Sequence, residues 1–269
     1  MYKSRYKKAS SRIKKRSKTK HFFSLIFKIG LPVILIVGAV FLLRADFMQL
    51  KSVEVVGNQD IPSDVTERLT HENLLGSRLF FISKSNFFIF NSRSLEQKIL
   101  TNFPRVESVE VSKDLDGIIH IILSERQKDF VWCATEEACF LMSKDGRVFA
   151  EAGSEEILGR IIFKGNIYGK PISQNFAVGG DMQNYLKVIG GLQNSGLQVF
   201  SVTTESPNKA VVKTGIGDIF LNPEENMSLS IPNITLLIQE IQSQNPSARF
   251  NYIDARFGTK VFYKLQASD

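Results

Sequence analysis

Histidine is scarce in this chain of 269 residues, with three copies. His21 precedes a long apolar run, His71 lies in a polar segment, and His120 alternates with isoleucines. None has a partner at the spacing of a metal site or a catalytic triad. The glycine-rich stretches that begin at Ala177 and Thr214 lack the three-glycine spacing of a phosphate-binding loop. The sequence therefore predicts a protein that is not an enzyme and that holds no metal or cofactor.

Cysteine is scarcer still, because Cys133 and Cys139 are the only two. They lie on either side of a predicted hairpin turn and lack the C-x-x-C spacing of zinc and redox sites. In an oxidising compartment they can form a disulfide, which the chain-entropy model values at roughly 2 kcal/mol for so small a loop. A reduced pair of small apolar side chains is the alternative, since cross-strand disulfide geometry is often strained.

Acidic residues are absent from the N-terminal region, and all 27 follow Ala45. The first 20 positions carry ten Lys or Arg, so the net charge of +7 comes from this tail. We interpret the tail as a solvated arm that determines topology, with attraction to anionic lipid. DNA binding is the alternative, but no aromatic interleaving accompanies the charge, so no nucleic-acid partner is expected.

Charge is also missing from the run FFSLIFKIGLPVILIVGAVFLL, Phe22 to Leu43, apart from Lys28. As a helix this run would rise about 33 Å, close to the roughly 30 Å thickness of the hydrocarbon core of a bilayer. It predicts a single transmembrane helix over 22–44, after a basic cytoplasmic tail over 1–21. The positive-inside rule then places the remaining chain outside the plasma membrane. A signal peptide cleaved near Ala45 is the alternative.

The segment from Leu50 to Arg126 alternates between strand and helix patterns. Strands are predicted over 50–56, 106–113 and 118–126, where apolar and polar residues alternate. Apolar spacing predicts two helices after the first strand, the second of which ends before Pro104. The order is therefore β-α-α-β-β. Asp114 and Asp116 in the last turn suggest calcium, but the other ligands of a calcium loop are missing, so a plain hairpin turn is favoured.

Beyond Arg126 the pattern changes to many short strands. A hairpin over 131–153 contains both cysteines. Further strands are predicted over 161–164, 199–203, 210–214 and 218–221. Apolar faces predict one helix around Met182–Leu192 and another around Ile234–Ile241. The predicted fold class is α+β: a transmembrane helix, the β-α-α-β-β domain, and a mostly antiparallel β domain with two helices.

This organisation resembles the FtsQ/DivIB family of bacterial cell division proteins, whose first extracytoplasmic domain is a POTRA domain. The resemblance is carried by LKSVEVVGNQDIP, GSRLFFIS, FPRVESVEVSKDL, the strand end Glu125-Arg126 and the closing YIDARFGTKVFYK. It implies a POTRA domain over 48–126, a β domain over 127–265 and a C-terminal tail over 266–269. The stretch SNFFIFNS departs from the family pattern, and its Phe87, Phe88 and Phe90 are expected in the core or against lipid or a partner.

The resemblance also implies a function. Members of this family are bitopic scaffolds of the divisome, located at the septum, that bind FtsB or DivIC and FtsL and help control septal peptidoglycan synthesis by the synthase complex. Their C-terminal edge holds the partner, which implies the following binding residues here: Tyr252, Arg256, Phe257, Val261, Phe262 and Tyr263. For each of these residues the alternative is a position in the domain's own core, because half of a strand's side chains face that core.

Two other functions fit parts of the sequence. One is a membrane-anchored, POTRA-containing chaperone or assembly factor for exported polypeptides. Tandem POTRA repeats or a C-terminal barrel would favour it, and the sequence shows neither. The other is an exported hydrolase, for which the sequence offers no set of acid and nucleophile residues.

Overall fold

The chain forms an α+β structure with two compact units. The computed structural model describes residues 13–78, 82–177, 180–225 and 227–266. The first unit is built from Met1–Ile99 and Val109–Leu123, and the second from Leu100–Ser108 and Ser124–Asp269. Parts of the two predicted tails, residues 1–12 and 267–269, lie outside the described residues.

The N-terminal helix α1 (Ile13–Leu43) overturns one prediction. In the part of the chain that the structure describes, no helix is long and apolar enough to cross a membrane. The single transmembrane helix predicted over 22–44 is therefore wrong.

The first unit combines a small sheet with two helices. Its elements are β1 (Ser52–Val56), α2 (Ser63–Leu74), β2 (Ser77–Arg78), β3 (Ile82–Ser83), α3 (Ser92–Asn102), β4 (Val106–Lys113) and β5 (Ile118–Glu125). The sheet order is β1-β5-β4, with β1 parallel to β5. Leu95 and Ile99 of α3, and Ile119 and Ile121 of β5, are fully buried. The short antiparallel pair of β2 and β3 lies where the sequence predicted no strand.

The phenylalanine-rich stretch packs partly against the end of β4. Phe90 is buried, whereas Phe88 is 65% exposed. The ammonium group of Lys113 donates to the carbonyl oxygens of Phe87 and Phe90, and it lies 4.7 Å from the centroid of the Phe87 ring. Burial of this ammonium lowers the pKa of Lys113. Lys113 of β4 therefore binds the backbone of this stretch, while Phe88 stays at the surface.

The second unit is built on a nine-stranded sheet. Its strands are β6 (Phe130–Cys133), β7 (Cys139–Met142), β8 (Val148–Glu151), β9 (Ile162–Lys164), β10 (Val199–Ser206), β11 (Lys209–Thr214), β12 (Gly217–Leu221), β13 (Phe250–Phe257) and β14 (Lys260–Leu265). Its helices are α4 (Ser154–Ile157), α5 (Gly180–Asn194) and α6 (Ile231–Gln244). The strand order is β14-β13-β12-β11-β10-β9-β6-β7-β8.

This sheet is mixed: five of its eight neighbouring strand pairs are antiparallel, in keeping with the predicted mostly antiparallel domain, and three are parallel. The pairs β6/β9, β9/β10 and β12/β13 are parallel. Helix α5 connects β9 to β10, and α6 connects β12 to β13. A helical crossover returns the chain to the end of the sheet where it started, so the two strands that it joins run parallel. The described residues also contain a third helix, α4, where the sequence predicted two.

Helices α5 and α6 cover one face of the sheet, which we call the inner face. The core there includes Leu192 from α5, Ile234 from α6 and Phe163 from β9, none of which has exposed surface. The ring of Phe163 lies 5.0 Å from that of Phe176 and 5.2 Å from that of Phe130. The inner face therefore holds the main hydrophobic core, and the opposite, outer face is left for other contacts.

Candidate protein-binding edge

The two ends of the nine-stranded sheet differ in how their backbone groups are paired. At β8, Val148 donates its N–H to the carbonyl of Gln174 (2.9 Å) and accepts the N–H of Ser173 (2.8 Å). The N–H of Phe176 reaches the carbonyl of Gly146 (2.9 Å), so an irregular segment covers this edge. At the other end, β14 pairs with β13 and with no other strand in the part of the chain that the structure describes.

The hydrogen bond at the end of the β13–β14 ladder shows which way the N–H groups of β14 point. Gln266 donates its N–H to the carbonyl of Arg249 (2.9 Å). Because successive residues of an antiparallel strand point to opposite sides, the N–H groups of Phe262 and Lys264 face β13. The N–H of Tyr263 faces away from the sheet. The outer edge of β14 therefore presents donors and acceptors to an incoming strand.

The six predicted binding residues lie together in one hairpin. Its first strand, β13, contains Tyr252, Arg256 and Phe257, and its second, β14, contains Val261, Phe262 and Tyr263. The chain turns at Gly258, whose φ of 63° lies in the left-handed region that glycine adopts without steric cost. The hairpin is the last described element of the chain, and β14 is its outer strand.

The outer side of this hairpin carries an aromatic pair. Phe257 is 54% exposed and Phe262 is 53% exposed. Their ring centroids are 5.7 Å apart in an edge-to-face arrangement, and the guanidinium of Arg256 lies 5.3 Å from the Phe257 ring. Exposed aromatic side chains beside an arginine are typical of the residues that contribute most to protein interfaces.

The other three predicted residues are turned towards the chain's own packing. Val261 is half-buried against the main core, and the ring of Tyr263 lies 5.9 Å from that of buried Phe250. Tyr252 stacks on Phe220 at 5.4 Å. Alternation therefore divides the set: Tyr252 and Phe262 lie on the outer face, where Tyr252 is covered by its stack on Phe220, and Val261 and Tyr263 lie on the inner face.

An ion pair holds Arg256 in place. Its Nε donates to Oδ1 of Asp254 (2.9 Å) and its Nη2 donates to Oδ2 (2.7 Å). Burial acts to raise the pKa of Asp254, but the hydrogen bonds and charge of Arg256 outweigh it and bring that pKa below its ordinary value. The carboxylate is thus ionised at neutral pH, and the arginine is fixed beside the Phe257 ring.

Sequence reasoning missed three residues of this edge. Lys260 and Lys264 are exposed, and Leu265 is 40% exposed. In the ladder Lys264 lies opposite Tyr252, and Phe262 lies opposite Asp254, so Lys264 and Phe262 share the outer face. In KVFYK, every second position holds Lys260, Phe262 or Lys264. This pattern predicts that the two lysines share a face with Phe262.

Cys133 and Cys139 form a disulfide across the β6–β7 hairpin. Both are buried, at 2% and 7% exposure, and they pack with Val131. Their position in a small core away from β14 gives the bond a structural role in the second unit.

The turn between β4 and β5 uses the carboxylate that suggested calcium. Oδ1 of Asp114 accepts the N–H groups of Asp116 and Ile118, both at 3.0 Å. Its Oδ2 lies 3.0 Å from Nε2 of His120, whose Nδ1 lies 3.2 Å from a carboxylate oxygen of Glu54. Among the described residues, no group of three or more His, Cys, Asp or Glu is arranged to hold a metal ion.

We expect the histidine in this cluster to make the stability of the first unit depend on pH. The hydrogen bond to Asp114 raises the pKa of His120 above its ordinary value, although partial burial opposes the shift. The stabilisation is therefore complete below about pH 6.5 and is lost as pH rises through the folded-state pKa. Urea unfolding of the wild type and of His120→Gln across pH 5 to 9 measures this difference.

An NMR titration of the His120 ring checks the same cluster directly. Asp114→Asn should lower the titration midpoint of His120. An unchanged midpoint would show that the contact with Asp114 does not raise the pKa of His120.

Comparisons with known proteins give no family for this chain. A scan against protein-family models finds no model that matches it. A search of curated proteins finds no match either. The assignment of function therefore rests on the geometry of the second unit and on the resemblance described above.

Proposed function

We propose that this protein is a non-catalytic scaffold that binds a partner protein by strand addition to β14. The observation that carries the proposal is the edge of β14, which no strand pairs in the described part of the chain and which contrasts with the covered edge at β8. An open, partly apolar edge strand is an aggregation hazard unless another chain covers it. A partner strand would supply main-chain hydrogen bonds, and its alternate side chains would give specificity.

The side chains beside this edge support a protein partner. Phe257 and Phe262 are about half exposed and contact each other, so their rings form a preassembled apolar surface. Arg256 is fixed by Asp254 next to that surface. Because the aromatic pair and the arginine are already ordered, a partner would lose little side-chain entropy of this chain on binding.

Within this class, the resemblance to the FtsQ/DivIB family favours a scaffold of the bacterial division machinery. Its partners would be FtsB or DivIC and FtsL-like proteins, through which it would help control septal peptidoglycan synthesis. The disulfide between Cys133 and Cys139 favours an oxidising, extracytoplasmic location for the second unit. The edge of β14 would be the site of the stable complex.

A capture experiment with the full-length chain tests the proposal. Tagged wild type, Tyr263→Pro and Tyr263→Ala are used to capture proteins from an envelope extract of the host, and bound proteins are identified by mass spectrometry. Proline removes the outward N–H of residue 263 and places its ring where a partner strand would pair, whereas alanine keeps the N–H. We expect Tyr263→Pro to abolish capture of a small coiled-coil division protein and Tyr263→Ala to retain most of it.

Thermal unfolding of both variants is the control, because both lose the contact between Tyr263 and Phe250. Similar melting temperatures with different capture would locate the effect at the edge. Undiminished capture by Tyr263→Pro would contradict strand addition at β14. Capture of unfolded exported polypeptides in place of a division protein would favour the assembly-factor function.

A further inference from the structure

A cavity in the first unit lies where α2, α3 and the phenylalanine-rich stretch meet. Its volume is about 280 Å³, close to the lower end of the range of about 300–1,000 Å³ that is usual for small-molecule sites. We call it the first-unit cavity and define it by its polar and buried lining residues: Asn73, Lys84, Phe90, Asn91, Ser94 and Lys98. Its size suits a small ligand.

The floor of the first-unit cavity is apolar and is held in place by the chain itself. Phe90 is 7% exposed, and Ile89 is half-buried beside it. The carbonyl of Phe90 accepts the ammonium of Lys113 (3.1 Å), and the N–H of Phe90 donates to the carbonyl of Asn86 (2.9 Å). The side chain of Asn86 is fully buried. The floor is therefore formed before any ligand binds.

Hydrogen-bond donors lie at the start of α3. Oδ1 of Asn91 accepts the N–H of Ser94 (3.2 Å), as the side chain of an N-cap residue does. Because this oxygen is used by the helix, the Nδ2 group of Asn91 is the part of the amide that can donate to a ligand. Ser94 adds a hydroxyl to the lining. The partial positive charge of the helix N-terminus adds to these donors.

Two lysines supply the charge of the first-unit cavity. Nζ of Lys98 donates to Oδ1 of Asn73 (2.5 Å), which holds the Lys98 side chain beside the last turn of α2. The backbone N–H of Lys84 donates to the carbonyl of Gly76 (3.1 Å), so the turn that carries Lys84 is fixed as well. None of the described residues that line the cavity has a carboxylate. The lining therefore favours an anion.

The charge and the donors match a phosphate monoester better than a carboxylate. A phosphate monoester carries about −1.5 to −2 charges at neutral pH and has three strong acceptor oxygens. It can therefore face two ammonium groups, an amide and a hydroxyl at once, whereas a carboxylate has one charge and two oxygens. A nucleic acid backbone would need a longer row of cations than the two lysines of this cavity.

We propose that the first-unit cavity binds the phosphate monoester group of a small molecule or of a lipid headgroup. Lys84 and Lys98 balance its charge, Asn91 and Ser94 donate to its oxygens, and Phe90 contacts the carbon atoms next to the phosphate. This site belongs to the first unit and does not depend on strand addition at β14. It would give a scaffold protein a second activity, the binding of a phosphorylated ligand.

Calorimetric titration of the full-length chain with glycerol 3-phosphate tests the proposal. We expect saturable binding of this probe and at least about tenfold weaker binding of acetate, because acetate has a single charge and fewer acceptor oxygens. Glycerol, which has no charge, should show no binding. Absence of saturable binding of glycerol 3-phosphate, or equal binding of acetate, would overturn the proposal.

Asn91→Asp separates the ligand contact from the structural role of this residue. Aspartate can still accept the N–H of Ser94 and is favourable at a helix N-terminus, but it replaces the amide donor with a negative charge. Binding of glycerol 3-phosphate should fall at least about tenfold, and the melting temperature should not fall. Unchanged binding in this variant would overturn the assignment of the site.

Lysine variants locate the charge that the phosphate meets. Lys84→Gln and Lys98→Gln should each weaken binding of glycerol 3-phosphate at least about fivefold. Lys51→Gln is the matched control, because Lys51 is an exposed lysine of the same unit outside the lining, and it should change binding less than about twofold. An equal loss in all three variants would show general attraction by charge and would overturn the proposal.

Vesicles distinguish the two sources of the phosphate group. The probe is a phosphatidylcholine vesicle with or without phosphatidic acid, whose headgroup is a phosphate monoester. The comparison of wild type with Asn91→Asp cancels any attraction of the basic N-terminal tail to anionic lipid. Weaker sedimentation of Asn91→Asp with phosphatidic acid vesicles would support a lipid ligand. Equal sedimentation, together with loss of glycerol 3-phosphate binding in the variant, would support a soluble phosphorylated ligand.

Discussion

Replacing Gly217 with alanine should destabilise the second unit by about 3 kcal/mol or more. Gly217 has a φ of 145°, and a Cβ at this position would lie 2.1 Å from the carbonyl oxygen of Phe250. That oxygen belongs to the adjacent strand β13, which is held by the bond from the Phe250 N–H to the carbonyl of Ile216 (2.8 Å). The added Cβ would therefore clash with a backbone atom, and no side-chain movement could relieve the clash. Urea unfolding measures the loss.

Gly215→Ala is the matched control for this substitution. It makes the same chemical change two residues earlier, where an added Cβ would meet no described atom within 4 Å. We expect it to change the free energy of unfolding by less than about 1 kcal/mol. If the two variants had equal stability, the close approach of β12 and β13 at Gly217 would be contradicted.

Replacing Phe250 with alanine should cost about 3–5 kcal/mol and should loosen β14. Phe250 has no exposed surface, belongs to the main core and contacts the ring of Tyr263 at 5.9 Å. Removal of the ring leaves a cavity beneath the hairpin, so β14 loses part of its support. Denaturant unfolding gives the free energy, and hydrogen exchange of the β14 amides reports the local loosening.

Phe200→Ala is the control for the second prediction. Phe200 is 46% exposed, so its truncation removes about half the buried surface that Phe250→Ala removes and should cost about 1–2 kcal/mol. The amides of β14 should keep their protection in this variant. Loss of protection at β14 in Phe200→Ala, or none in Phe250→Ala, would contradict the support of β14 from the inner face.

Local patterns were sufficient for the positions of many elements. The apolar spacing from Met182 to Leu192 lies within α5, and Met182 and Leu192 are buried. The helix predicted before Pro104 ends at Asn102 as α3, since proline cannot continue a helix that needs its N–H. Alternation over 106–113 coincides with β4, because one face of a half-buried strand must be apolar.

Length and apolarity were poorer guides at the N-terminus. The run from Phe22 to Leu43 predicted a span because it is apolar apart from Lys28. Within the described residues no helix meets the length and apolarity that a span requires, which overturns that prediction. The basic cytoplasmic tail over 1–21 remains a prediction, and its first 12 residues lie outside the described residues.

The candidate site was predictable in composition but not in orientation. The aromatic residues of YIDARFGTKVFYK indicated a partner surface, and the structure leaves Phe257 and Phe262 exposed on the outer face while Tyr263 packs on Phe250 of the inner face. Two register shifts between β13 and β14 set these faces. Such bulges reverse the face of every following side chain, and alternation in the sequence does not reveal them.

By itself, the sequence determined where helices and strands form, because periodicity, turns and prolines act over a few neighbouring residues. Tertiary structure decided which strands pair, that three pairs are parallel, and that β14 rather than β8 has an open edge. Those choices depend on contacts between residues far apart in the chain, such as Phe250 with Ile216 and Val148 with Gln174. The hairpin of β13 and β14 is local in sequence, but its place at the end of the sheet depends on the order of strands from distant segments.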